Sequence, residues 1–157
     1  MWTKKQERTK ELESKNRTKR TTEKKVNALT LKQAFIAAFY FMDLYYIETK
    51  DDALADLLGN MNPYLWADGG SADPAAEEDW NNVAKAIKCG TQINPEQAFL
   101  LMYEYLNFHK TGLGYDVEWL MNDLAKKPHD TPEWLECITK AINPDESTIS
   151  RYRLQKP

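Results

Sequence analysis

The feature that most constrains this chain is the likeness between its two halves. The run "LTLKQAFIAAFYFM" at 29–42 lies 64 residues before "INPEQAFLLMYEYL" at 93–106, so Leu29 matches Ile93, Gln33 matches Gln97, Phe35 matches Phe99 and Phe39 matches Tyr103. Farther on, "DDALADLL" at 51–58 parallels "YDVEWLMNDL" at 115–124. "DPAAEEDWNNVAKAI" likewise parallels "DTPEWLECITKAI", setting Trp80 against Trp134. An internal repeat constrains architecture before local propensity does, because a repeated segment tends to fold as a repeated unit.

Helix-start chemistry marks the segments. Thr30 with Gln33, and Asn94 with Gln97, have capping-box spacing: the cap oxygen accepts from the third helical amide and the Gln side chain returns to the cap amide. Asp73-Pro74 and Thr131-Pro132 each place a polar cap before a proline whose missing amide costs nothing at the first helical position. Asn143, Pro144 and Glu146 repeat the pattern and predict a last short helix over 144–152. Gly59 and Gly90 are the expected stops.

The segments 31–48 and 95–110 are apolar almost all round, as central helices are, whereas 52–60, 74–89, 116–125 and 132–142 are amphipathic and suited to cover them. Strict alternation with β-branched residues is lacking, and Val occurs three times. The expected fold is all-α: two pseudo-repeated three-helix units, about 29–90 and 93–142, packed as one compact helical domain over 29–157.

Charge divides the chain differently. Residues 1–28 carry ten Lys or Arg and four Glu, net +6, and the remainder carries net −9, which together give the overall −3. With only Trp2, Leu12 and Val26 as large apolar side chains, residues 1–28 cannot build a core. They read as a basic, partly disordered or helical arm. The longest apolar run, around 34–42, is far short of the roughly 20 residues that cross a bilayer, and Asp43 ends it. The start lacks a secretory apolar stretch, so a cytoplasmic chain with Cys89 and Cys137 reduced is expected.

One stretch looks like chemistry. "DGGSADPAAEEDW" at 68–80 packs five carboxylates between two apolar segments. As a calcium loop starting at Asp68 it fails, because Gly70, Ala72 and Asp73 fall where two ligands and the obligatory glycine belong. Glu77, Glu78 and Asp79 lie in the first turns of a helix, where acids complement the dipole without any catalytic purpose. His109 and His129 lack metal-ligand spacing, and no Walker loop, dinucleotide fingerprint or nucleophile elbow occurs. The residues therefore point to a protein that is not an enzyme and uses neither metal nor cofactor.

Aromatics at helical spacing read as core. Tyr64 and Trp66, in the loop "NMNPYLWADGG", fall outside that spacing and are expected to be exposed. With Asp56, Asp68, Glu77 and Glu78 they form the candidate binding face, acidic and aromatic, for a basic protein partner. The run "QAF" before an aromatic-rich helix, then "DALADLLGNM", then "DGGSADPAAEEDW", resembles the small bacterial immunity proteins encoded beside contact-dependent and other polymorphic toxins. The likeness covers about 29–142; the basic arm departs from it. It implies an inhibitor that binds one cognate toxin and occludes its active site. The alternative is a regulatory or nucleic-acid-associated module in which the arm binds and the helices are scaffold. Neither membrane nor, apart from residues 1–28, nucleic acid is an expected partner.

Overall fold

The structure, a computed structural model, describes residues 28–66 and 68–154. Almost all of the basic arm, residues 1–27, lies outside the described residues. The fold is all-α. Among the described residues seven helices follow one another: α1 (Leu31–Thr49), α2 (Asp52–Met61), α3 (Pro74–Ala86), α4 (Pro95–Leu113), α5 (Glu118–Ala125), α6 (Pro132–Ile142) and α7 (Glu146–Leu154). Two two-residue strands, β1 (Leu29–Thr30) and β2 (Gln92–Ile93), precede α1 and α4 and pair antiparallel, Leu29 opposite Ile93.

The helix starts follow from their caps. Thr30 Oγ1 accepts from the Gln33 amide at 3.0 Å while Gln33 Oε1 accepts from the Thr30 amide at 2.9 Å. Asn94 and Gln97 do the same at 2.8 and 2.9 Å. Asp51, Asp73 and Thr131 cap α2, α3 and α6. Three expectations need correction. Gly90 does not stop α3, which ends at Ala86 with Ile87 as its cap, and the left-handed residue beyond it is Lys88, φ 60°. Gly59 does not stop a helix, since α2 continues to Met61 and the next amide, that of Asn62, still bonds back to Leu58 O. At α7 the cap is Asp145 rather than Asn143, because Asp145 Oδ1 reaches the Thr148 amide at 2.7 Å, three residues on.

α1 and α4 are the core. Phe35, Phe39 and Met42 of α1, and Phe99, Met102 and Tyr105 of α4, are buried. The chief partner of α1 is α6, whereas α3 packs on both α1 and α4. Two tryptophans lock these contacts at matching places. Trp80 Nε1 donates to Leu31 O at 2.9 Å, and Trp134 Nε1 donates to Pro95 O at 2.9 Å. The Trp80 ring meets Phe35 and Tyr105 edge-on; the Trp134 ring meets Phe99 and Phe41 edge-on. Phe35 in turn meets Tyr105, as Phe41 meets Phe99. Edge-to-face geometry sets the positive ring edge on a negative face and adds to the burial itself.

α7 closes one end. Its Tyr152 is buried against Phe39, Tyr40 and Tyr64, with centroid distances of 4.9, 5.7 and 6.1 Å. Asn62 Nδ2 donates to Tyr152 O at 3.2 Å, and Arg153 Nε donates to Tyr64 O at 3.0 Å. No helix among the described residues is long and apolar enough to cross a membrane.

Candidate partner-binding face and a cleft beside it

The connection between α2 and α3 is pinned rather than loose. Ala72 N–H bonds Asn62 O and Asp73 N–H bonds Asn60 O, each at 2.9 Å, folding the loop back on the end of α2. Gly69 turns it with φ 78°, a left-handed conformation that glycine adopts without strain. Asp68 Oδ1 accepts from the Gly70 amide at 2.9 Å. Buried Ser71 donates its hydroxyl to Asp73 O at 2.6 Å and accepts from the Glu77 amide at 3.3 Å, fixing the start of α3.

The predicted site residues separate on this scaffold. Trp66 is 47% exposed, with its indole N–H on Ala72 O at 2.9 Å. Tyr64 is not exposed, contrary to expectation. The turn that follows α2 directs its ring inward, where its hydroxyl bonds that of Tyr40 and its ring lies beside Tyr152. Asp56 is exposed and accepts from the Tyr115 hydroxyl at 2.5 Å, a bond that pushes the Tyr115 phenol up to about 12. Glu77 instead turns to Lys32 of α1, 3.6 Å away. Its Oε1 is buried without a hydrogen bond, so this carboxylate is less available to a partner than a surface acid. Glu78 and Asp68 are exposed.

The charge pattern of this region is one-sided. Between Asp51 and Ala84 the chain carries eight carboxylates and no Lys or Arg. Asp52, Asp56, Asp68, Asp73 and Glu78 are the exposed ones. The cation brought in, Lys32, comes from α1.

Behind this face lies His109, buried, with Nδ1 2.9 Å from Tyr105 O and its ring wedged against Tyr105, Phe108 and Tyr115. Burial holds the imidazole below its ordinary 6.5; the Tyr105 carbonyl and Asp79 offset this in part. A depressed folded value means that the neutral ring contributes fully above about pH 6.5, and that this contribution is lost as the pH falls through the depressed value. Asp79 works in the opposite sense, because burial raises it above 3.8 and its contribution is lost as the pH rises through the raised value. The denaturation midpoint in urea is therefore expected to fall between about pH 7.5 and about pH 5.5, and His109→Asn is expected to flatten that slope. Because Asp79 opposes it, the comparison of slopes is decisive: an unchanged slope in His109→Asn would contradict the burial of His109.

Sequence reasoning missed a second group. Asp43 is buried in the apolar α1, and its Oδ2 accepts from Tyr152 Oη at 2.8 Å and from Arg151 Nη2 at 3.2 Å. It lines a cleft of about 610 Å³ between α1, α2 and α7, together with Phe39, Tyr46, Ile47, Leu58 and Arg151. The available signal was one carboxylate at the apolar middle of α1, whose other acid, Glu48, lies in the last turn, since a charge in such a place needs partners. Those partners come from more than a hundred residues away.

Among the described residues, no group of three or more His, Cys, Asp or Glu is placed to hold a metal ion. Cys137 is buried, which pushes its thiol up to about 12 and away from the thiolate. Comparison with protein families, with curated proteins and with solved structures finds no match.

Proposed function

We propose that this chain is a non-catalytic inhibitor, of the immunity type, that captures one basic protein partner on its acidic α2–α3 face. The observation that carries the reading is the segment 51–84, with eight carboxylates, five of them exposed, and no basic residue. Such a surface accelerates encounter with a basic protein and disfavours nucleic acid and anionic membranes. The pinned loop supports it further: a preorganised surface loses little conformational freedom on binding. Trp66, half exposed in that loop, supplies an aromatic of the kind that dominates interface energetics.

We also infer that the two halves are a duplicated three-helix unit. In support, the capping boxes recur 64 residues apart, the strand pair joins the equivalent Leu29 and Ile93, and each tryptophan bonds the start of the central helix in its own half.

The test is capture of the partner from the native host by the full chain, followed by binding kinetics at two salt concentrations. Asp52→Lys with Glu78→Lys is expected to slow association and weaken its salt dependence; Trp66→Ala is expected to speed dissociation at a cost of about 2 kcal/mol or more. Capture of nucleic acid, with affinity abolished by deleting residues 1–28 and indifferent to these substitutions, would reject the inhibitor and favour the arm.

A further inference from the structure

We propose that α7 is a strap that undocks as a unit and sets the order of the α2–α3 connection, with Asn62 as the positioning residue between them; this rests on the reading above only in taking that connection for a binding loop. Twelve residues, 62–73, join α2 to α3, whereas six, 126–131, join α5 to α6. Ordering so long a connection costs conformational entropy, which bonds to the rest of the fold must offset.

Those bonds come from the far end of the chain. The Asn62 side chain uses both of its groups at the junction: Oδ1 accepts from the Tyr64 amide at 3.0 Å and Nδ2 donates to Tyr152 O at 3.2 Å. Tyr152 O lies in the last turn of α7, where carbonyls lack an intrahelical donor, so Asn62 satisfies the end of α7 while holding the start of the connection. Arg153 Nε adds a bond to Tyr64 O at 3.0 Å, and the Tyr64 ring lies beside that of Tyr152. Asn62 O in turn accepts from the Ala72 amide, and Ala72 O accepts from the Trp66 indole. One run of hydrogen bonds leads from α7 through Asn62 and Ala72 to Trp66.

α7 itself hangs on one anchor. Of residues 146–153, Tyr152 is buried, Thr148 and Ile149 are half-buried and the others are exposed. The rest of its hold is polar, chiefly Arg151 and the Tyr152 hydroxyl on Asp43. A helix with so little apolar surface to uncover opens at a lower free energy than the bundle it rests on, and nine residues released from that bundle do not stay helical in water. When Tyr152 leaves, Asn62 Nδ2 and Tyr64 O lose their partners in the same event. Docked and undocked α7 are thus two arrangements of one element, and the connection is held in the first and loosened in the second. A preorganised loop loses less freedom on binding, so docking of α7 favours the partner and, by linkage, the partner favours docked α7.

Hydrogen exchange of the isotope-labelled full chain, read by NMR, tests the strap without any partner. The amides of α7 and the Ala72 amide are expected to share one opening free energy and to exchange at least about ten-fold faster than the Phe39 and Met102 amides of α1 and α4. Arg151→Ala weakens α7 at an exposed residue that does not touch the connection. It is expected to speed exchange in α7 and at Ala72 by the same factor, about ten-fold, because an opening that leaves α7 docked would not feel the lost bond. Asn62→Asp with Arg153→Ala keeps an acceptor for the Tyr64 amide and cuts both links to α7. In that background Arg151→Ala is expected to speed α7 as before and Ala72 by less than about two-fold, a loss of coupling that general destabilisation would not produce. If the linked pair fails to fold, Arg151→Ala alone decides. An Ala72 amide unmoved by Arg151→Ala, α7 amides as slow as those of Phe39 and Met102, or coupling that persists without Asn62 and Arg153 would overturn the proposal. If the coupling holds and no basic partner is captured, the acidic-face reading fails alone; if a partner is captured and the coupling is missing, the strap fails alone.

Discussion

Trp80→Ala and Trp134→Ala are each expected to lower the unfolding free energy by about 3–5 kcal/mol, measured by urea denaturation. Both indoles are fully buried. Each ring lies among two edge-on aromatics, and each N–H donates to a carbonyl in the first turn of a central helix, a bond additional to the intrahelical one and lost with the ring. Leu31 O and Pro95 O belong to helices that the rest of the fold surrounds. Removing either indole thus opens a cavity beside the packing of α1 on α4. An effect below about 1 kcal/mol for either variant would mean that the aromatic cluster does not carry the core.

Tyr152→Ala is expected to cost a comparable amount, about 3–5 kcal/mol, although it lies five residues from the end of the chain. Its ring packs on Phe39, Tyr40 and Tyr64, and its hydroxyl satisfies the buried Asp43. Tyr152→Phe separates the two contributions. It keeps the ring and removes two hydrogen bonds, the one donated to Asp43 and the one accepted from Arg151 Nη2, for an expected loss of about 1.5–3 kcal/mol. Calorimetry of the pair decides: near-equality of Phe and Ala would assign the whole effect to Asp43, and near-equality of Phe and wild type would assign it to packing.

Legibility in the sequence followed distance along the chain. The caps at Thr30, Asp73, Asn94 and Thr131 could be read directly, because a cap bond spans two or three residues and depends on residue type alone. The central standing of α1 and α4 was legible because helices apolar all round have nowhere else to go. Tyr64 was misjudged for a physical reason. Its loop position suggested exposure, but its orientation is set by Tyr40, 24 residues earlier, and by α7, nearly ninety residues later. Asp43 was passed over likewise, since the residues that make its burial tolerable belong to the last helix. Of the acidic face, the exposure of Trp66, Asp56, Asp68 and Glu78 agreed with expectation, whereas the turn of Glu77 toward Lys32 depended on how α1 and α3 meet.

The exchange of aromatics between the halves bears on how the chain comes into being. Trp80 and Phe35 belong to the first half, yet the ring that closes their cluster, Tyr105, belongs to the second. Phe41, of the first half, is in turn part of the cluster around Trp134. During synthesis the first three helices are therefore complete while their core remains open. Closing that core takes α4, which brings Tyr105, and α6, the chief partner of α1, so until both emerge the chain is expected to depend on whatever shields exposed aromatic surface on a growing polypeptide. The two halves share one buried cluster, so a ribosome paused between them is expected to hold a polypeptide with no finished domain.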